Sequence, residues 1–323
     1  MKRLLIVLIA VMSVLQMIAQ TEYVILRYDG VSKDSKFSKI AYLDSRSNQK
    51  DFGFLNGRKV IDDVPLAVQL EAVFPQMINN TQENKIMLIQ LRKLSFFETK
   101  SNDGDLGVCV LRVNLYQKED NDYYFINKLD TVIESSPGNI LSRGVECLTS
   151  YIADNLDAVQ NSEVPFSLSE LQAIDDFEKE DIPLYLNKSF VNGIYYDFYQ
   201  FAQQNPDTVD LRLNIKKNEL KDVKVSSAEG KWRKIPIGEI YAVVADGKAY
   251  IAYDRKFRQA YFDGNDLKFR TTKTETVVPP GVSVGVGMGR GFGGGVGFSF
   301  GTKKKSTVIM LVDHQNGIAE ECR

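Results

Sequence analysis

At 323 residues the chain is longer than one hydrophobic core usually organises, so two domains are expected, each able to bury a core of its own. Hydrophobic residues at 44% and charged residues at 25% exclude both a disordered chain and a polytopic membrane protein. A formal net charge of -2 gives no electrostatic reason to expect nucleic acid as a partner.

The chain opens on an address. Lys2 and Arg3 form a positive n-region, residues 4–15 an apolar h-region, and Ala19 precedes Gln20 at a cleavage point. Residues 1–19 are therefore expected to be a signal peptide that exports the chain to the periplasm, the outer membrane or the exterior, with a retained signal anchor as the alternative. The apolar run falls short of the roughly 20 residues a membrane span needs. No Cys stands at the cleavage point, so no lipid attachment is expected there. Three cysteines are too few for a disulfide scaffold. Cys109, in phase with Leu111, Val113 and Leu115, and Cys147, beside a helical stripe, are expected to be buried small hydrophobes, with a mutual bridge as the alternative. Cys322 is expected to be exposed.

Residues 23–28 and 40–43 read as strands. Pro65 opens a helix in which Leu66, Leu70, Val73, Phe74 and Met77 recur at helical spacing. Strands follow at 85–97, 106–116 and 123–133, and the polar turns between them predict an antiparallel meander. A second helix over 139–159 carries Leu141, Val145, Leu148, Ile152, Leu156 and Val159 along one side. The order β-α-β-β-β-α over residues 20–160 predicts an α+β domain, an antiparallel sheet with both helices on one face. With Asp44-x-Arg46 and Phe52-Gly53 ahead of the first helix, this half resembles the auxiliary lipoproteins of ABC-type transport systems and related periplasmic envelope proteins. The resemblance covers residues 21–160 and implies an envelope location and a binding role, without catalytic residues. The missing lipobox Cys departs from that pattern.

Residues 161–181 are acid-rich, with Glu163, Glu170, Asp175, Asp176, Glu178, Glu180 and Asp181 against Lys179, and read as a solvated linker. Within it Ser167 and Glu170 form a capping box for a short helix carrying Leu171, Ile174 and Phe177, which Pro183 stops. Residues 182–323 form a second, mostly-β domain. One short helix over 197–201 ends at Asn205-Pro206, and strands are expected at 209–216, 240–245, 249–253, 260–262 and 307–312. Asp246-Gly247 is the clearest hairpin turn. On Gly193-Ile194-Tyr195, Phe198, Phe201, Asn205-Pro206, Asp246-Gly247-Lys248, Tyr250-Ile251, Leu311-x-Asp313 and Asn316-Gly317, this half resembles an uncharacterised module of exported Gram-negative bacterial proteins.

Inside that domain lies a Gly-rich insertion, residues 281–301, where every odd position is Gly or Ser. Its even positions supply the candidate interaction residues Val282, Val284, Val286, Met288, Phe292, Val296, Phe298 and Phe300. Period two with a bare glycine face leaves two readings, a loop or a β-hairpin that another backbone or a membrane surface can approach closely.

The catalytic inventory is thin. The single histidine, His314, stands in the turn Asp313-His314-Gln315-Asn316-Gly317 and is expected to be exposed, and there is no G-x-S-x-G elbow. The adjacent acids Asp62-Asp63, Asp175-Asp176 and Glu320-Glu321 point apart on strand or helix, and no His/Cys spacing suits a metal. Tyr195, Tyr196, Tyr199, Tyr241, Tyr250, Tyr253 and Tyr261 are expected to be half-buried sheet residues, with a carbohydrate or peptide groove as the alternative. No catalytic residue, cofactor or metal is expected. The sequence reads as an exported, non-enzymatic envelope protein that binds an envelope protein or a membrane surface. The alternatives are a membrane-contacting or oligomeric role for 281–301 and a polymer hydrolase using carboxylates.

Overall fold

Alternation of apolar and polar residues dominates the chain, and strands accordingly outnumber helices in an α+β fold whose second part is mostly β. A computed structural model describes residues 21–46, 49–101, 104–207, 210–216, 219–226, 230–277 and 302–322. The chain divides into two compact units, Met1–Ala173 and Ile174–Arg323.

The first unit is built on a four-stranded sheet of order β2-β5-β6-β7, with β2 Lys33–Asp44, β5 Ile78–Ser101, β6 Gly104–Glu119 and β7 Asp122–Ser135. The last three form the expected antiparallel meander, whereas β2 runs parallel to β5. Helix α1, Leu66–Met77, makes that parallel crossover possible. It buries Leu66, Leu70, Val73, Phe74 and Met77, the stripe its spacing predicts. Helix α2, Pro137–Asp154, adds Val145, Leu148 and Ile152 to the same core, against Met87, Ile89, Leu111 and Val113 of the sheet. Each fully buried side chain of this kind contributes about 1.5–3 kcal/mol. A register shift between Leu91 and Lys93 returns Leu94 and Phe96 to the core face already occupied by Met87 and Ile89.

Two expectations fail locally. Residues 24–28 are not a strand: only β1, Thr21–Tyr23, pairs, joining β4, Arg58–Ile61, and β3, Phe54–Leu55, in a small sheet. The Val24 N–H still donates to Ile61 O of β4 at 2.8 Å, and beyond it the Gln69 side chain of α1 substitutes for a neighbouring strand, with Nε2 donating to Val24 O at 3.1 Å and Oε1 accepting from Leu26 N at 2.7 Å. Helix α2 stops before Val159, which is exposed. Its C-cap, Asn155, turns its side-chain amide back to Tyr151 O at 2.8 Å, while Leu156 still reaches the core.

The acid-rich segment is not a uniform solvated connector. Helix α3, Leu168–Gln172, has the expected capping box and seats Leu171 in a buried cluster with Leu88, Tyr116 and Tyr123 of the first unit. Helix α4, Ile174–Glu180, belongs to the second unit and leaves Phe177 exposed. Pro183 does not stop a helix but begins α5, Pro183–Asn187, at a position where its missing N–H costs nothing.

The second unit continues with β8 Gly193–Tyr195, α6 Phe198–Ala202, β9 Leu211–Lys216, β10 Glu219–Ser226, β11 Trp232–Ile235, β12 Ala242–Ala245, β13 Lys248–Tyr253, β14 Lys256–Asp263, β15 Asp266–Val277, β16 Thr302–Val312 and β17 Ala319–Glu321. An antiparallel sheet of order β17-β16-β15-β14-β13-β12-β8 is its frame, and β11-β10-β9 form a separate small sheet. Asp246 and Gly247, at φ 51 and 69, make the predicted hairpin between β12 and β13. Alternation sends Tyr195, Ala242, Val244, Ile251 and Phe269 to one face, where they pack with Leu184, Tyr185 and Phe201 of α5 and α6. Ile194, Val243, Tyr250 and Phe257 point to the other face and meet Leu220, Val223 and Ile235 of the small sheet. Strands β10, β11 and β15 were not expected from the sequence; their Lys-, Asp- and Thr-rich runs carry a weaker apolar signal than the partners that pair with them.

Candidate functional site

The small sheet of the second unit caps only part of the large one, since its core partners come from β8 and β12 to β14. On β15 and β16 the same face carries Lys268 and Arg270, paired in register with Leu311 and Ile309, and Arg270 and Ile309 are exposed. Where covered and uncovered parts meet, an open concavity of about 490 Å³ is lined by Glu219, Leu220, Tyr250, Gln259, Tyr261 and Arg270, among others. That volume is typical of a small-ligand or short-peptide site. The Arg270 guanidinium lies 5.9 Å from the Tyr261 ring centre, within cation–π range. Glu219 is paired with Lys221, and Lys268 with Asp263 and Asp266 at 3.0 and 3.6 Å. Arg258 also lines the concavity, and among the described residues neither Arg258 nor Arg270 has a carboxylate partner, so two guanidinium groups are available to a ligand, Arg270 next to Tyr261.

The seven tyrosines do not share a groove. Residues 250 and 253 are an odd number of positions apart on one strand, so they face opposite sides: Tyr250 joins the small-sheet core, Tyr253 the helix-covered one. Tyr195 and Tyr241 pack with the helices, and Tyr196 and Tyr199 are exposed. Only Tyr250 and Tyr261 border the concavity.

A second constellation joins residues far apart in sequence. Helix α4 places Asp175 and Glu178 three positions apart on one side, and the turn after β16 carries His314 to them. One ligand atom from each lies within 4.8 Å of the others. His314 is not the exposed turn residue its neighbours predict: it is 6% exposed, its ring edge-on to Tyr185 at 6.3 Å between centres, and its Nε2 is 3.1 Å from Glu178 Oε2. The turn itself is rigidly tied, with Asp313 Oδ1 accepting from Gln315 N at 2.9 Å and Asn316 N at 3.3 Å. Gln315 Nε2 also donates to Glu178 Oε2, at 2.9 Å. No sequence spacing announces this cluster, because its members are brought together by helix docking.

In the first unit, the residues that carry the resemblance named above form one structural knot. Asp44 accepts from Arg46 Nε and Nη2 at 2.9 and 2.8 Å, and the guanidinium lies 4.1 Å from the Phe52 ring centre. Gly53 lies against Phe96 of β5. The knot clamps the chain ahead of α1; its Arg46 is 8% exposed and offers no open face for a ligand. The candidate interaction residues Val282, Val284, Val286, Met288, Phe292, Val296, Phe298 and Phe300, like residues 1–19, lie outside the described residues. Cys109 is buried, Cys147 half-buried and Cys322 exposed, and there is no disulfide among the described residues.

The sequence matches no known protein family and no curated protein. Among solved structures, protein XCC0632 from Xanthomonas campestris, assigned to DUF330, aligns with a TM-score of 0.28 and 9% identity over 42% of this chain and 94% of its own, a likeness too slight to assign fold or function.

Proposed function

We propose that this chain is an exported, non-enzymatic binding protein of the bacterial envelope, and that its second unit holds an extended, acidic segment of an envelope partner beside β10. The observation that carries the reading is the concavity at the rim of the half-covered sheet, where Tyr261 offers aromatic surface and Arg258 and Arg270 offer guanidinium groups without a carboxylate partner. Stacking surface next to a cation suits recognition of a carboxylate-bearing chain. The N-terminal pattern of Lys2, Arg3 and the apolar residues 4–15 supports export.

The test places a photo-crosslinking phenylalanine analogue at Gln259 in the native host. A discrete adduct that disappears when Arg270→Glu is added supports the reading. Absence of any adduct at this position, or one indifferent to Arg270→Glu and Tyr261→Ala, overturns it.

A further inference from the structure

We propose that Asp175, Glu178 and His314 bind a divalent first-row transition-metal ion that ties helix α4 to the turn following β16. The inference does not rest on the concavity described above, which is built from other strands. Two carboxylates and one imidazole nitrogen gather within 4.8 Å of one another. Metal–oxygen and metal–nitrogen distances are about 2.0–2.2 Å, so ligands at tetrahedral or cis-octahedral positions stand roughly 3–3.5 Å apart. The 3.1 Å between His314 Nε2 and Glu178 Oε2 already has that spacing. The imidazole supplies a nitrogen donor beside the acids: the only histidine of the chain is 6% exposed, and its Nε2 faces Glu178 Oε2.

The surroundings act as a positioning shell. Gln315 Nε2 holds Glu178 Oε2, the Tyr185 ring fixes the imidazole plane, and the Asp313 carboxylate rigidifies the turn. An imidazole with two carboxylates selects Zn²⁺ or Mn²⁺ over the hard ions Mg²⁺ and Ca²⁺, which prefer oxygen alone. Three protein ligands leave coordination positions for water.

The experiment uses the full mature chain, stripped with chelator and titrated calorimetrically with Zn²⁺, with Mn²⁺, and with Mg²⁺ as a hard-ion control. One equivalent of Zn²⁺ should bind, with a rise in Tm that chelator reverses. Affinity should fall about tenfold or more in His314→Gln and in Asp175→Asn. His314 is buried and its variant can misfold; Asp175 is half-buried in the first turn of a seven-residue helix and its variant should keep the wild-type circular dichroism. An adventitious ion only is the outcome if uptake is non-stoichiometric, or unchanged in both Asp175→Asn and Glu178→Gln, and either result overturns the proposal.

Discussion

Gly53 and Gly57 both have positive φ and stand on either side of β3, and comparing their alanine variants isolates the energetic weight of one close backbone approach. At Gly53, φ is +100, and a Cβ would lie 1.9 Å from the Phe96 carbonyl oxygen and 3.0 Å from its carbon. Relief requires the two backbones to part by roughly 1 Å or more. That movement breaks the hydrogen bond from Phe96 N to Phe52 O, now 2.7 Å, and lifts Phe52, which is fully buried, from the core. Strain at φ costs about 1–3 kcal/mol, and a buried N–H left without its acceptor about 1–3 kcal/mol more. At Gly57, φ is +70 and nothing lies within 4 Å of a Cβ, so only the conformational cost of about 1–2 kcal/mol applies. Gly53→Ala is therefore expected to lose about 2 kcal/mol more than Gly57→Ala, which is a urea midpoint lower by about 1 M at an m-value near 2 kcal/mol/M. Urea unfolding followed by far-ultraviolet circular dichroism measures the difference, and amide exchange locates it in β3, β4 and the facing part of β5. Equal midpoints, or a milder effect at Gly53, would refute the reasoning.

Tyr116→Phe should destabilise the first unit by about 1–3 kcal/mol, because the Tyr116 hydroxyl accepts from Asn114 Nδ2 at 2.9 Å and donates to Gln90 Oε1 at 3.1 Å in a buried site; an unchanged urea midpoint would show the network to be dispensable. Burial raises the Tyr195 hydroxyl from 10.0 to about 12. A raised folded-state value gives stability that is complete below pH 10 and lost as pH rises through about 12, so thermal midpoints should fall across that interval and a Tyr195→Phe variant should fall less. Native-state alkylation should label exposed Cys322 and spare Cys109, whose thiol is buried and pushed upward by desolvation; peptide mass spectrometry showing equal rates would contradict the packing of α2 on β6.

Much of the fold is written locally. Leu66, Leu70, Val73, Phe74 and Met77 needed only helical periodicity to be assigned to a core, and they occupy it. The Ser167–Glu170 capping box and the Asp246-Gly247 turn are likewise local hydrogen-bond and dihedral chemistry, and both form. Where side chains from elsewhere replace local partners, the pattern misleads. Val24 and Leu26 alternate as a strand does, yet only the Val24 N–H reaches the neighbouring strand, at Ile61 O, and Gln69 takes the Val24 carbonyl and the Leu26 N–H. Phe177 has the spacing of a core residue but is exposed on a helix too short to bury a stripe.

The candidate sites divide along the same line. Composition and period identified which residues were apolar, charged or turn-forming, and period two alone implies that Tyr250 and Tyr253 cannot share a face. It could not say that the small sheet would leave Tyr261 and Arg270 uncovered, because that depends on how far β10 reaches across the larger sheet. Nor could it bring His314 to Asp175 and Glu178 across more than 130 residues: His314 and Glu178 are separated by 136 positions. Covalent neighbours determine turns, caps and stripes, since those energies act over a few residues. Burial of His314 and convergence of the two acids on it arise only when a helix and a distant turn dock on one core, because that is where the exclusion of water and the meeting of charges are decided.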